Sequence, residues 1–241
     1  MANLPPLLLI DKPKGISSFS VIRALRRKTG IRKFGHAGTL DPLATGLMLI
    51  GVEKGTKLIT DLVGLDKEYV ADVLIGERRS TGDMEGGIID ERQYQGNITQ
   101  VQIEEVLSSM VGDIELPVSA YSAIKKDGVP MYKRARAAAA KGETVELVPR
   151  RLMSVYTTEL LSIEEVLQDN KKRLKLTVRF FVGSGTYIRS LAEEVGARLG
   201  YPAVMSDLRR TKVGEYKVED AQQLEDLGPL YQRVLNKLKF W

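Results

Sequence analysis

The segment at residues 35–46, "GHAGTLDPLATG", limits what this chain can fold into more than any other. Gly35, Gly38 and Gly46 each cost about 0.5–1 kcal/mol relative to alanine in a regular element. Pro42 removes a backbone donor and pushes Asp41 toward an extended conformation. The stretch therefore reads as neither helix nor strand. Its neighbours Leu40, Leu43 and Ala44 and the run at 47–50, "LMLI", nevertheless require burial. The fold has to accommodate a partly buried loop that carries a carboxylate, Asp41, beside the only histidine of the chain, His36.

Around this loop the chain alternates between strand and helix patterns. Residues 7–10 read as a short strand ending in the turn Lys12-Pro13-Lys14-Gly15. Ser17 or Ser18 offers a helix N-cap, Phe19, Ile22 and Leu25 form an apolar stripe, and Gly30 suits the helix end. Arg23, Arg26 and Arg27 fall on the opposite side of that helix. Residues 67–75 read as a strand. Thr99 and Gln102 form a capping box for a helix whose Val101, Ile103, Val106, Leu107 and Met110 point mainly inward and which ends at Gly112. Leu174, Leu176, Val178 and Phe180 alternate with Lys175, Thr177 and Arg179 on a strand. The turn "VGSGT" leads into a helix with Ile188, Leu191, Ala192, Val195 and Leu199 on one stripe, closed by Gly200. Tyr231, Val234, Leu235 and Leu238 suggest a last helix. Strands and helices are interspersed without a regular βαβ period, so the expected class is α+β, with a central mixed or antiparallel sheet flanked by helices.

Length fits one domain over residues 1–241, with 122–148 as an insertion and 219–241 as a short helical tail. Cysteine is absent, which rules out disulfides and cysteine-built metal or redox sites, and one histidine argues against an imidazole metal site. No cofactor is expected. The N-terminal apolar run is short and lacks a basic leader, so neither a signal peptide nor a membrane span is expected, and the default compartment is the cytoplasm. The net charge of +5 gathers in four basic clusters, at residues 22–33, 122–141, 171–179 and 208–212. Such clustering favours a polyanionic partner.

The residues alone offer little conventional catalytic apparatus. "GVEKGTK" at 51–57 is too short for a phosphate loop, and "GSG" at 183–185 is a weak anion site. A serine-based triad would need His36, whose flanking glycines promise no rigid platform. Asp41 remains as a nucleophile, since a carboxylate needs no activating base at neutral pH. It would need a cation to orient it. By spacing alone, Arg189 reads as a helix-surface arginine and Tyr69 as a core tyrosine.

"GHAGTLDPLATGLM" resembles the signature of the TruB-type tRNA pseudouridine-55 synthases. Four further stretches match in family order: "LLLIDKPKGISSFSVI", "DKEYVADVLIG", "PVSAYSAIKKDGVPMYKRAR" and, as two parts of the last, "GTYIRSLAEEVG" and "SDLRRTKVGEY". Together they span residues 7–216. The resemblance implies a pseudouridine synthase fold with an RNA-binding cleft. It implies that Asp41 is the catalytic aspartate, that Tyr69 packs on the target base, that Arg189 pairs with Asp41, and that Leu208 is an apolar wall. It places His36 in the space vacated by a flipped uridine. Lys12 and Tyr187 are further expected substrate contacts, and the basic helix at 18–29 with Arg26 and Arg27, together with the 122–148 insertion, is expected to grip the T-arm phosphates. The expected partner is the T-arm of tRNA, with no membrane, no obligate protein partner and a monomeric state. Two departures stand out: "FVGS" precedes "GTYIR" where relatives often carry cysteine and serine, and no separate C-terminal RNA-binding domain is expected.

The chemistry agrees with that resemblance. Forming pseudouridine breaks N1–C1′, rotates the base and joins C5 to C1′, which requires neither a group donor nor a redox step. The base must leave its stack, and aromatic and apolar side chains offset the unstacking. Asp41 either adds to C6, attacks C1′ or promotes C2′ deprotonation; the sequence leaves all three open. Two other functions share the same basic clusters: an RNA-binding or tRNA-folding protein without catalysis, and a guide-RNA-dependent rRNA synthase.

Overall fold

The computed structural model describes residues 4–122, 124–126, 128–139, 148–224 and 226. In chain order its elements are β1 (Leu7–Lys12), α1 (Ser18–Thr29), β2 (Phe34–His36), β3 (Thr45–Val52), α2 (Ile59–Val63), β4 (Lys67–Ile75), β5 (Glu77–Arg79), β6 (Ile88–Glu91), α3 (Gln100–Ser109), β7 (Gly112–Pro117), β8 (Lys125–Lys126), β9 (Val129–Pro130), α4 (Met131–Ala139), β10 (Arg150–Gln168), β11 (Lys171–Val182), α5 (Ile188–Arg198), β12 (Ala203–Val213), β13 (Tyr216–Lys217) and β14 (Gln222–Gln223). The class is α+β with a mixed sheet, as expected. The described residues divide into two compact units. One holds the chain up to Tyr69 and from Leu208 onward, the other Val70–Asp207. The chain leaves the first within β4 and returns within β12.

In the first unit β1 pairs antiparallel with β3, from Leu7 opposite Gly51 to Lys12 opposite Gly46. β2 folds back on β3, with His36 opposite Ile50, and β12 runs parallel to β3, with Arg210 opposite Gly46. The last pairing explains one glycine: a Cβ at Gly46 would lie 2.3 Å from the Arg210 carbonyl oxygen, and its φ is +106°. Ala37, Leu47, Leu49, Val213 and Val218 form a buried cluster in this unit.

Helix α1 begins where its cap predicts. The Ser17 hydroxyl accepts from the Ser20 amide at 3.1 Å, and Gly30 ends the helix at φ 74°. The buried face, however, is Ser18, Val21, Ile22 and Leu25. Phe19, expected in the stripe, is 57% exposed, because the core-facing position one residue earlier belongs to Ser18. Burying Val21, Ile22 and Leu25 contributes about 1.5–3 kcal/mol each and fixes the helix against its unit without Phe19.

The second unit contains the capping box as read. The Thr99 hydroxyl accepts from the Gln102 amide, and the Gln102 side chain accepts from the Thr99 amide. Ile103, Leu107 and Met110 are buried, but Val101 in the first turn is exposed. Helix α3 stops at Ser109, and Gly112, expected as its end, opens β7 instead. β10 and β11 form a long antiparallel hairpin closed by Asp169 and Asn170, whose φ values of 50° and 59° suit a tight two-residue turn. Leu174, Leu176, Val178 and Phe180 are all buried, as their alternation predicts.

Two sequence expectations need correction or bounding. The glycine-rich segment is not wholly loop. Gly35 and His36 lie in β2, Thr45 and Gly46 in β3, since pairing of β2 with β3, and of β3 with β1 and β12, outweighs the poor strand propensity of glycine. The helix expected around Tyr231 and much of the tail at 219–241 lie outside the described residues, as do residues 123, 127 and 140–147 of the expected insertion.

Candidate active site

Asp41 sits in the loop joining β2 to β3, and the chain on both sides of it is pinned. Just before it, the buried Ser18 hydroxyl accepts from the Leu40 amide at 2.8 Å and donates to the Leu40 carbonyl at 3.0 Å. Just after it, the Pro42 carbonyl accepts from the Gly15 amide at 2.8 Å and from Lys12 Nζ at 3.3 Å. The Ala44 amide closes a turn onto the Asp41 carbonyl at 3.1 Å, and Ala37 continues the ladder to Leu49. The glycines thus do not make this a loose loop. They let the chain turn while its polar groups find fixed partners.

Lys12 was expected to touch substrate, and the structure assigns it otherwise. Its side chain is fully buried, and Nζ donates to the carbonyls of Pro13, Ile16 and Pro42. A buried ammonium so engaged holds the loop rather than facing a phosphate. Arg210 performs the matching task from below. Buried on β12, it donates from Nε to the Leu47 carbonyl at 2.7 Å and from a terminal nitrogen to the Gly38 carbonyl at 3.2 Å. Sequence reading missed it, counting it with a surface basic cluster. The signal was its alternation with Leu208, which puts both on one strand face.

His36 is half-buried, and its Nδ1 is a buried atom without a hydrogen-bond partner. Burial, and then the Arg210 charge, push its imidazole below the ordinary value, against a backbone hydrogen bond at Gly38. It is therefore neutral at pH 7. Lys67 is buried nearby, donating to the carbonyls of Val63 and Leu65. Burial and Arg210 lower its pKa to about 8, against the attraction of Asp66. Tyr69 on β4 and Leu208 on β12 are both buried.

The second unit carries Arg189, and it is not a surface residue. It lies in the first turn of α5, 6% exposed. Its guanidinium donates to the Thr81 carbonyl and the Ser119 hydroxyl, both at 2.9 Å, and to the Tyr121 carbonyl at 3.4 Å. The buried Asp83 carboxylate stands 3.7 Å away and is itself fixed by the Thr81 hydroxyl and the Glu85 amide. Tyr187, half-buried, is the residue that precedes α5. A cleft of about 450 Å³ opens beside Arg189, lined among others by Arg78, Thr81, Ser119, Tyr121 and Glu193. Burial raises the Glu193 pKa, opposed by the charges of Arg78 and Arg189. Asp83 and Ser119 were not picked out in the sequence, although Ser119 lies in the matching stretch "PVSAYSAIKKDGVPMYKRAR".

The basic clusters do not all survive as free charge. In the cluster at 171–179, Lys171 and Arg173 pair with Glu91, Lys175 with Glu164 and Arg179 with Glu159. In the cluster at 208–212, Arg209 pairs with Asp11 at 2.7 Å, Lys212 pairs with Glu68 at 2.9 Å, and Arg210 is buried. Most of the charge in these two clusters is thus met by acceptors of the same chain. On α1, Arg23, Arg26 and Arg27 remain exposed, and no acidic partner faces them among the described residues.

Two family models match this chain. One, described as TruB family pseudouridylate synthase (N terminal domain), covers residues 26–188, and the other, tRNA pseudouridylate synthase B C-terminal domain, covers residues 189–238. The chain belongs to the TruB family. It is 45% identical to the tRNA pseudouridine synthase B of Leifsonia xyli subsp. xyli over 92% of this chain and 72% of that protein. It is 40% identical to the protein of the same name from Geobacillus thermodenitrificans, over 92% of this chain and 71% of the relative. Among solved structures, a chain of an H/ACA RNP bound to a substrate RNA containing 2′-deoxyuridine is similar at 27% identity and a TM-score of 0.66, over 98% of this chain. A chain of an archaeal box H/ACA sRNP complex gives 26% and 0.62, over 92% of this chain. This chain spans about half the length of those two, 55% and 52%.

Proposed function

We propose that this protein converts uridine 55 in the T-arm loop of tRNA to pseudouridine, acting as a cytoplasmic monomer without an obligate protein partner or cofactor. The observation that carries the reading is Asp41, held between two backbone anchors at Leu40 and Pro42 in a chain whose relatives are named tRNA pseudouridine synthase B. A reacting carboxylate must be positioned before the substrate arrives, because misplacement by about 1 Å costs on the order of a hundredfold in rate.

In this reading the target uridine leaves its stack and rests against Tyr69, with Leu208 as the apolar wall and neutral His36 taking the vacated space in the RNA loop. Asp41 initiates cleavage of N1–C1′, by addition at C6, attack at C1′ or assistance to C2′ deprotonation. The base rotates and C5 bonds to C1′; the bond to Asp41 breaks, or the C2′ proton returns, so that the carboxylate is regenerated, while Tyr69 or a water it holds takes the C5 proton and N1 gains one from solvent. Arg189, whose position is set within its own unit by Thr81, Ser119, Tyr121 and Asp83, is the guanidinium proposed to orient Asp41. Tyr187 and the exposed arginines of α1 join the RNA contacts.

The test is incubation of the purified protein with unmodified tRNA, followed by mapping of pseudouridine. The expected product carries it at one T-loop uridine with no guide RNA added. Tight binding with no pseudouridine, in single-turnover conditions, would reduce the protein to a tRNA-binding one. A requirement for guide RNA would replace the substrate assignment.

A further inference from the structure

Phe19 stands out on the surface of α1. It is 57% exposed, on a helix whose apolar needs are met by Val21, Ile22 and Leu25. The Arg23 guanidinium lies 5.7 Å and that of Arg26 6.0 Å from its ring centroid. Arg23 is steadied by a hydrogen bond to the Ser20 hydroxyl at 3.0 Å. Arg27, Arg32 and Lys33 extend the exposed basic surface. In the clusters at 171–179 and 208–212, Lys171, Arg173, Lys175, Arg179, Arg209 and Lys212 pair with carboxylates of this chain, whereas the arginines of α1 face none among the described residues. An aromatic face bordered by guanidiniums has the chemistry of a nucleotide-binding surface. The ring meets the π-face of a base, and the cations meet the flanking phosphates. Its place in the chain adds to this, since the neighbouring residue Ser18 holds Leu40, next to Asp41.

We propose that Phe19, Arg23 and Arg26 form a second contact point for the RNA, in which an unpaired nucleotide stacks on Phe19 while the guanidiniums engage its phosphates. This rests on the reading of the protein as a tRNA-modifying enzyme, and it adds a stacking contact outside the reacting base.

The experiment measures the affinity of the full chain for an unmodified T-arm stem-loop across a salt series. Phe19→Ala should weaken binding about tenfold at every salt concentration, leaving the slope of log affinity against log salt unchanged. Arg26→Gln should instead lower that slope by about one, as for one lost phosphate contact. Phe19→Trp should keep wild-type affinity and show RNA-dependent fluorescence quenching beyond that of the single native tryptophan, Trp241. Circular dichroism confirms that each variant is folded, which the exposure of Phe19 favours. Phe19→Ala within twofold of wild type overturns the proposal, as does Phe19→Leu binding like wild type, since any apolar cover would then suffice. If the wild type neither binds the stem-loop nor forms pseudouridine, the functional reading fails as well. Normal wild-type activity beside an unaffected Phe19→Ala removes this inference alone.

Discussion

Replacing Ser18 by alanine tests whether the loop anchors matter to catalysis. The Ser18 hydroxyl is buried and makes two hydrogen bonds with Leu40, accepting from its amide at 2.8 Å and donating to its carbonyl at 3.0 Å. The substitution removes both partners at once and leaves a buried backbone amide and carbonyl without them. At a net value of about 0.5–1.5 kcal/mol per hydrogen bond, the loss is about 2 kcal/mol. For a protein of this size that lowers Tm by about 4–8 °C. The larger effect is expected on rate. Leu40 precedes Asp41, and a carboxylate freed to wander by about 1 Å should cost between ten- and a hundredfold in kcat. Ser17→Ala provides the control. It deletes the α1 cap bond to the Ser20 amide, costs about 1 kcal/mol, and does not touch Leu40. Stability is read by thermal melting and rate by single-turnover pseudouridine formation with saturating tRNA. A Ser18→Ala enzyme within threefold of wild type, or equal rate losses in the two variants, would refute the positioning argument.

The other predictions use the same assays. Asp41→Asn should abolish turnover while leaving fold and tRNA affinity intact, since asparagine keeps the size but offers no negative charge or nucleophile; activity within tenfold of wild type would end the case for Asp41. Arg189→Lys should lower kcat at least about tenfold, equivalent to ~1.4 kcal/mol, because one ammonium cannot reproduce a fork that reaches Thr81, Ser119 and Tyr121 together; near-native turnover would show that Arg189 positions nothing. Lys67 has a folded pKa lowered to about 8, below its unfolded value of 10.5, so the unfolded state binds more protons between these values and stability rises with pH there. Urea unfolding of wild type and Lys67→Met across pH 8 to 10.5 should show wild type gaining relative to the variant, and a constant difference would contradict it.

Much of the scaffold was legible because local signals agreed with the tertiary outcome. The Ser17 cap, the Gly30 stop, the Thr99–Gln102 box and the alternation from Leu174 to Phe180 are each satisfied within a few residues of sequence. The glycine-rich loop was legible as a partly buried turn carrying Asp41. Its rigidity was not, because its anchors come from Lys12, Gly15, Ser18 and Arg210, residues brought to it by the fold.

The failures around Asp41 and Arg189 share one physical cause: apolar patterning assigns the interior to apolar residues, and here polar residues occupy interior positions. Ser18 takes the core-facing place on α1 because its hydroxyl serves Leu40, and the stripe read through Phe19 is displaced by one residue. Arg210 and Lys12 look like surface cations, yet both are buried with backbone carbonyls as partners. Arg189 looks like a helix-surface arginine, yet three acceptors and Asp83 enclose it. Each such burial is costly unless every donor is met, so none is expected in a chain selected for stability alone. In one unit the buried groups gather at the Asp41 loop and in the other at Arg189, and in each they fix backbone and side chain before any substrate arrives, which is what the proposed chemistry asks of them.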